Sequence, residues 1–309
     1  MNGIKLKDKL SIILTTYNRS KQLQVTLDAL KNSPIKDCRI TILNNHSTDD
    51  TLDVCKKLAL SFENFQVVTH SVNLGGGCEN YIHAIDYCNT EYMWILSDDD
   101  TYDFSSFDDV EEEIFKSNVN IIQVGAHNDR TWDWGICDTP KALQKLGYPF
   151  FKYSSFLPCT IFKYDFFVRY IKDAYDYIHY RYPHLPSIVS AYNNNLPIYV
   201  SKCRIVTATI NVQTYSDYIP FRGMIMATKF LDQRDTKRMV LDTIFNNGKA
   251  YWFNYILSIK KYREEDDIVL VSNYMKRMMS VSELLIVRLL FYPVSFFYPY
   301  LRRIIKYRK

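Results

Sequence analysis

Residues 92–100 read YMWILSDDD, a short apolar run that leads directly into three aspartates. An apolar stretch of this length is typical of a buried β-strand, here residues 92–96. Three adjacent carboxylates repel one another unless a cation compensates them. Asp98 and Asp100 point the same way in an extended segment, and a hard divalent ion prefers oxygen ligands. We therefore predict that these two aspartates bind Mg²⁺ or Mn²⁺, the alternative being a solvated acidic turn or a helix cap.

The segments before this run alternate between strand and helix patterns. Strand candidates lie at residues 10–14, 40–43 and 65–68, and apolar residues at helical spacing are Leu23, Leu27 and Leu30, then Leu52, Cys55 and Leu58, then Tyr81, Ile85 and Cys88. Ser47 or Thr48 is the predicted N-cap of the second helix. This alternation predicts an α/β fold with a doubly wound, mostly parallel sheet. Ligands bind such sheets at the carboxyl ends of the strands, so we expect the polar loops there to share one rim.

The loop NLGGG at residues 73–77 precedes the third helix pattern. Glycine-rich loops at helix N-termini can bind phosphate through backbone N–H groups, which makes Asn73 and Gly75 candidate contacts. Glycines also permit a tight turn before a helix, and the sequence leaves both interpretations open. A Walker loop is excluded because Gly-Lys-Ser/Thr is absent from this segment.

Four motifs within residues 10–102 resemble, in order, those of the nucleotide-binding half of glycosyltransferase family 2. They are SIILTTYNR (11–19), like the opening strand and T-x-N-R-type loop; ILNNHSTDDT (42–51), like V-D-D-G-S-T-D-G-T; residues 73–80, like N-x-G-x-x-x-x-N; and residues 95–100, like the metal-binding D-x-D. The resemblance implies a GT-A fold and a metal-dependent, inverting transfer of a sugar. The donor would be a nucleoside diphosphate sugar and the acceptor a hydroxyl group.

The same resemblance assigns the remaining loop residues to the nucleotide sugar. Thr15, Tyr17 and Arg19 would line the pocket for the base and ribose. Asn45 would contact the base, and Asp99 would contact the ribose or the sugar.

The chain departs from the family pattern at two positions. The usual acidic pair is replaced by Asn44 and Asn45, and His46 stands where the family has glycine. An amide can still hydrogen-bond a uracil edge, and a UDP-sugar is the favoured donor. Because an amide offers both a donor and an acceptor, the sequence does not fix the base.

An inverting transfer needs a general base for the acceptor hydroxyl. The resemblance implies a carboxylate in the second half of the domain, often in an E-D pair, and residues 103–215 contain no such pair. Residues 182–186, YPHLP, resemble a Tyr-x-His stretch of some family members, and histidine has an unperturbed pKa near neutrality. His184 is therefore the first candidate, with Asp173 and Asp176 as second choices. The alternatives are a structural histidine and two solvated helix carboxylates.

The regular alternation fades after a further strand at residues 120–124. We predict a catalytic domain over residues 1–215, with its nucleotide-binding half at 1–102 and its acceptor-side half at 103–215. The remainder, residues 216–309, shows a helical pattern.

An irregular stretch rich in Trp, Tyr and Pro, residues 132–158, is the predicted acceptor wall or lid. Within it, Trp132 and Trp134 can stack on an acceptor sugar or pack in the core.

Residues 281–300 are rich in Leu, Phe and Tyr, and a basic tail follows at residues 302–309. Arg288 and Pro293 interrupt the apolar segment, which argues against a membrane-spanning helix. An apolar, aromatic segment before a basic tail is typical of an interfacial anchor on an anionic membrane. The alternative is an amphipathic helix packed on the catalytic domain.

A hydrophobic content of 47% over 309 residues predicts a folded chain with one large core or two modest ones. The formal net charge of +4 over 309 residues does not indicate a nucleic-acid binder. Seven scattered cysteines favour a reducing compartment, and the polar N-terminus does not resemble a signal peptide. We expect a cytoplasmic enzyme, peripheral on the inner face of the membrane, that acts on a glycan or lipid-linked acceptor in bacterial surface polysaccharide synthesis. The alternatives are a sugar nucleotidyltransferase and a catalytically inactive membrane-associated scaffold.

Overall fold

The structure, a computed structural model, describes residues 4–75, 77–127, 129, 132–178, 181–209, 218–227, 230–231 and 251–297. The chain divides into two compact units, Met1–Tyr215 and Ser216–Lys309. The predicted basic tail at residues 302–309 lies outside the described residues.

The first half of the first unit alternates strands and helices. In chain order these are β1 (Leu10–Thr16), α1 (Ser20–Lys31), β2 (Arg39–Asn44), α2 (Thr51–Ala59), β3 (Asn64–Thr69), α3 (Gly77–Ile82), β4 (Tyr92–Ser97) and β5 (Thr101–Tyr102). The four strands predicted before the aspartates are confirmed as β1 to β4.

The second half of this unit is built from shorter elements. They are α4 (Asp108–Lys116), β6 (Ile121–Ala126), β7 (Ile136–Asp138), α5 (Pro140–Lys145), α6 (Phe150–Ser154), β8 (Thr160–Lys163), α7 (Tyr164–Val168), α8 (Ile171–Tyr177), α9 (Leu185–Asn193) and β9 (Ile198–Thr207). The stretch predicted to be irregular therefore contains one strand and two helices. Thr139 starts α5, because its hydroxyl accepts the Ala142 N–H and Pro140 supplies a helical φ at the first position.

The described strands form one nine-stranded sheet in the order β3-β2-β1-β4-β8-β6-β9-β5, with β7 also paired to β9. The run β3-β2-β1-β4 is parallel throughout, and β6 and β9 are also parallel to each other. Strand β8 lies antiparallel between β4 and β6, and β5 and β7 are antiparallel to β9. The predicted α/β class with a mostly parallel sheet is confirmed, with antiparallel strands entering in the second half.

The core of the sheet is buried on both faces. All seven residues of β1 are buried, as expected for a central parallel strand covered by helices. Leu23, Leu27 and Leu30 of α1 are fully buried in the same core cluster as Ile12 and Leu14 of β1. Their spacing of four and three residues puts them on one helix face, which fixes α1 against the sheet.

Two helix predictions were wrong in detail. Helix α2 begins at Thr51 after the N-cap residue Asp50, so neither Ser47 nor Thr48 caps it. The helix after the glycine loop is also short, because α3 ends at Ile82 and a 3₁₀ turn, His83–Tyr87, continues the chain.

The indole of Trp132 belongs to the core. Its side chain is 3% exposed, its Nε1–H donates to the Ser201 carbonyl at 2.8 Å, and its ring centroid lies 4.7 Å from that of Tyr153. Of the interpretations that the sequence left open for Trp132, the structure therefore supports core packing. Trp134 is half-buried and lies edge-on to Tyr148, with ring centroids 4.9 Å apart.

The described part of the second unit is helical. Its helices are Tyr218–Ala227, Tyr251–Lys261, Ile268–Met278 and Val281–Ile286, and a π-helical turn, Val287–Phe291, follows the last of them. Val271 and Met275 are fully buried one turn apart, and the Tyr255 hydroxyl lies 2.8 Å from the Ser272 hydroxyl oxygen. Among the described residues, no helix combines the length and the apolar character needed to cross a bilayer.

Candidate functional site

The carboxyl ends of β2, β1 and β4 lie side by side at one edge of the sheet. Thr16 pairs with Asn44 at the end of β2, and Thr15 pairs with Ser97 at the end of β4. Because the three strands are parallel neighbours, the polar loops that follow them emerge together. The shared rim expected from the sequence is confirmed.

The loops after β1 and β2 are joined by side-chain hydrogen bonds. The Asn18 N–H donates to the Ser47 hydroxyl at 2.9 Å, and the Thr48 N–H donates to Asn18 Oδ1 at 2.7 Å. The Ser20 N–H donates to Asp49 Oδ2 at 3.1 Å. Ser47 and Thr48 are thus committed to the first loop, which is why the predicted helix cap does not form there.

Asn18 has φ +50°, in the left-handed region that asparagine tolerates better than most residues. Asn18→Ala removes the acceptor for the Thr48 N–H and places alanine in a strained conformation. We expect a loss of about 1–2 kcal/mol in the free energy of unfolding, measured in urea. Asn18→Gly, which keeps the conformation and loses only the side chain, should cost less. Equal stability of Asn18→Ala and the wild type would contradict this role.

The Asn45 side chain links the second loop to the glycine loop. It is 3% exposed, its Oδ1 accepts the Leu74 N–H at 2.9 Å, and its Nδ2 donates to Asn73 Oδ1 at 3.1 Å. An aspartate here would set a carboxylate oxygen against Asn73 Oδ1 without a proton between them. In this chain both amide atoms of Asn45 are therefore used in joining the second loop to the glycine loop.

The glycine loop is held as a turn. Gly75 has φ +96°, and its N–H donates to Asn73 Oδ1 at 2.8 Å. The tight-turn interpretation therefore accounts for Gly75, whereas Gly76 lies outside the described residues. Asn80, the last residue of the motif, is 2% exposed, and its Nδ2 donates to the Leu43 carbonyl at 2.9 Å. It ties α3 to β2, a role that the motif located and did not explain.

The three aspartates after β4 differ in exposure and in partners. Asp98 and Asp100 are each 6% exposed, whereas the Asp99 side chain is 42% exposed. Arg19 Nη1 lies 3.8 Å from Asp98 Oδ1 and 3.3 Å from Asp99 Oδ2. The other oxygen of Asp98, Oδ2, is buried without a hydrogen-bond partner. The structure thus brings Arg19, which the resemblance assigns to the base and ribose pocket, against Asp98 and Asp99.

Burial raises the pKa of both Asp98 and Asp100 from 3.8 to about 7. Arg19 lowers the pKa of Asp98, but desolvation outweighs it. Two buried carboxylates with an unpartnered oxygen fit a divalent cation, which prefers such ligands. In the part of the chain that is described, no group of three or more His, Cys, Asp or Glu side chains is arranged to hold a metal. A cation held by this pair would take its other oxygens from bound phosphate and water.

Two residues outside the motifs hold the acidic turn in place. The Tyr102 hydroxyl donates to the Ser97 carbonyl at 2.8 Å and accepts the Ser97 N–H at 3.0 Å. The Thr209 N–H donates to Asp100 Oδ1 at 3.3 Å. Tyr102 is only two residues from Asp100, so its position in the sequence points to this role. Thr209 lies 109 residues from Asp100, and no sequence pattern near it indicates the contact.

The base candidates lie on two helices of the second half. His184 precedes α9 and is 3% exposed, its Nε2–H donates to the Ser154 carbonyl at 3.0 Å, and burial lowers its pKa to about 4. Its Nδ1 is buried without a hydrogen-bond partner. Asp173 and Asp176 are exposed on α8, which packs against α3 and α9. The Ser154 bond is what a structural histidine makes, and the unpartnered Nδ1 is what a base needs.

Comparison with known proteins gives a consistent result. The family model described as glycosyl transferase family 2 matches residues 11–177. Over 94 residues the chain is 32% identical to a poly(ribitol-phosphate) beta-glucosyltransferase of Bacillus spizizenii, which is 30% of this chain and 15% of that protein. Over 92 residues it is 28% identical to a GalNAc(5)-diNAcBac-PP-undecaprenol beta-1,3-glucosyltransferase of Campylobacter jejuni, which is 30% of each chain. The matched segments thus span less than a third of these curated relatives.

A solved structure extends the likeness beyond the matched sequence. The crystal structure of S. aureus TarS 1–349 in complex with UDP-GlcNAc aligns with a TM-score of 0.58 at 19% identity, over 77% of this chain and 72% of that one. At this identity the likeness shows a shared fold.

Proposed function

The chain belongs to glycosyltransferase family 2, and from this premise we propose that it transfers a sugar from a nucleoside diphosphate sugar to an acceptor hydroxyl. The observation that carries the proposal is the pair of buried aspartates, Asp98 and Asp100. They lie at the rim where the polar loops after β1, β2 and β4 emerge together. A UDP-sugar is the favoured donor, which agrees with the UDP-GlcNAc bound by the TarS structure.

The proposed acceptor is a glycan or a lipid-linked sugar in bacterial surface polysaccharide synthesis. The names of the two curated relatives, which refer to poly(ribitol-phosphate) and to an undecaprenol-linked glycan, support this class. We place the reaction on the inner face of the cell membrane, with the protein bound peripherally.

In this proposal Asp98 and Asp100 hold Mg²⁺ or Mn²⁺. When bound, the cation would supply positive charge to the leaving diphosphate. Arg19, whose side chain is 27% exposed, lies beside Asp98 and Asp99 and would contribute a second positive charge. Tyr17, directly after β1, is 43% exposed, so its ring is available to stack on the nucleobase of the donor. Asp99 is the acid exposed enough to reach the ribose or sugar.

We keep His184 as the proposed base for an inverting transfer. The bond from Nε2–H to Ser154 leaves the lone pair on Nδ1, and burial, which lowers the pKa to about 4, keeps the imidazole neutral at pH 7 while making it a weaker base than an exposed histidine. That tautomer can accept a proton. Asp173 and Asp176 remain the second choices.

His184→Ala should lower kcat by about 10²-fold or more, because a positioned base contributes at least that much. KM for the donor should stay near the wild-type value, since His184 is not in the nucleotide loops. Initial rates with donor and acceptor, together with a thermal melt, check this. Asp173→Asn and Asp176→Asn, the competing candidates, are measured in parallel and should stay within about twofold if His184 is the base. Unimpaired transfer by folded His184→Ala would move the role to one of the two aspartates.

A donor hydrolysis screen tests the proposed activity. UDP-, GDP- and dTDP-sugars are incubated with the full chain and Mn²⁺, and release of the nucleoside diphosphate is measured. We expect release from a UDP-sugar that stops on chelation of the metal. Calorimetry with UDP, with and without Mn²⁺, distinguishes the enzyme from an inactive scaffold. Absence of metal-dependent binding in the wild type would favour the scaffold.

A further inference from the structure

The segment that begins at Val281 exposes a dense set of apolar side chains. Its large hydrophobic residues that are at least 38% exposed are Val281, Leu285, Ile286, Leu289, Leu290, Tyr292, Val294, Phe296 and Phe297. Neither the helix Val281–Ile286 nor the π turn Val287–Phe291 has a buried side chain. An amphipathic helix that packs on its own domain buries one face. Leu284, Val287 and Phe291 are half-buried, with the Phe291 ring against Phe253, and most of the other apolar residues face the surroundings; such a patch marks an interaction site.

The charge of this part of the chain is one-sided. From residue 268 to the end, eight basic residues, Lys276, Arg277, Arg288, Arg302, Arg303, Lys306, Arg308 and Lys309, accompany one acidic residue, Glu283. The segment carries +7 against +4 for the whole chain, so the rest of the protein is net negative. Glu283 is bonded to Ser280 in the capping box at the start of the helix. The partner of the apolar segment must therefore be compatible with strong positive charge.

Basic side chains also lie among the apolar residues. Arg288 is exposed within the π turn, and the Lys260 ammonium lies 3.4 Å from the ring centroid of Phe296 and 5.1 Å from that of Tyr292. Mixed aromatic and basic residues suit the interface of a bilayer, where acyl chains meet phosphate groups. A second copy of the chain would bring a like charge against this one, which disfavours self-association.

We propose that the exposed apolar segment, residues 281–297, docks on an anionic lipid bilayer and lies in the plane of the headgroups. Its Leu and Phe side chains enter the acyl boundary, and the flanking Lys and Arg side chains contact lipid phosphates. The inference rests on exposure and charge, and it does not require that the chain transfer a sugar.

Vesicle flotation of the full chain tests the proposal. The wild type should float with vesicles of phosphatidylcholine mixed with phosphatidylglycerol, and less with phosphatidylcholine alone. The double variant Leu285→Ser/Leu289→Ser should lower the partition coefficient about tenfold or more, because two exposed leucines no longer enter the apolar phase. Arg288→Gln should lower it about fivefold, and only on the anionic vesicles.

A matched control comes from the first unit. Leu60 is 97% exposed, so Leu60→Ser removes an exposed leucine outside the apolar segment and should float like the wild type. Donor hydrolysis by the double variant should equal that of the wild type, which keeps this test separate from the proposed activity. Three results would overturn the proposal: no flotation of the wild type with anionic vesicles, equal flotation of the double variant, or a wild-type dimer in light scattering that the double variant dissolves.

Discussion

Asp98→Asn and Asp100→Asn are each expected to lower turnover by about 10³-fold, because each removes a carboxylate that holds the counter-charge of the leaving diphosphate. Both substitutions keep the size of the side chain and remove a charge that is costly to bury. The fold should therefore survive. Rates of donor hydrolysis and transfer, with thermal melts at the same pH, check both statements.

Asp53→Asn is a suitable control for this pair. The Asp53 side chain is 75% exposed on α2 and pairs with Lys56 at the surface. Its replacement should leave turnover unchanged. Normal turnover in both Asp98→Asn and Asp100→Asn would refute the assignment of the metal to this cluster.

Compared with the double variant Asp98→Asn/Asp100→Asn, the metal-free protein should lose several kcal/mol of stability as the pH rises from about 4 to about 8. The pKa of Asp98 and of Asp100 is raised from 3.8 to about 7, so between these values the folded state binds more protons than the unfolded state. Stability then falls with rising pH, by up to about 4 kcal/mol for each carboxyl. This loss in the free energy of unfolding is absent below the pKa of the carboxyls in the unfolded state. It is complete above their pKa in the folded state.

Urea unfolding in EDTA at a series of pH values measures this effect. The double variant Asp98→Asn/Asp100→Asn should lack this decline, because neither amide titrates. Addition of Mn²⁺ at pH 8 should restore stability to the wild type and leave the double variant unchanged. If the wild type and the double variant show the same dependence of stability on pH in EDTA, burial does not raise the pKa of Asp98 and Asp100.

Local pattern was sufficient for the strands that build the rim. The apolar runs before Thr15, Asn44 and Asp98 each predict a buried strand, and parallel pairing then brings their loops together. The pattern could not place β8 between β4 and β6, because that pairing joins residues far apart in the chain. The same limit applies to the bond between Thr209 and Asp100, which closes over more than a hundred residues.

Residues with two plausible uses were the hardest to predict. Trp132 follows a strand in a polar stretch, so the local sequence does not show that its indole is in the core. The ring packs directly on Gly125, where a Cβ would lie 2.6 Å from it. Ser47 resembles a helix cap, but its hydroxyl is already bound by the Asn18 backbone. In both cases a distant partner decides between two locally acceptable conformations.

The amide bridge between Asn45 and Asn73 has a consequence for redesigning which nucleotide the protein accepts. Position 45 is predicted from the motif resemblance to contact the base, and an exchange there would also remove the hydrogen bonds that join the second loop to Leu74 and Asn73. Positions 45 and 73 should therefore be randomised jointly in any selection for altered donors. Libraries that vary position 45 alone would mostly sample damaged turns.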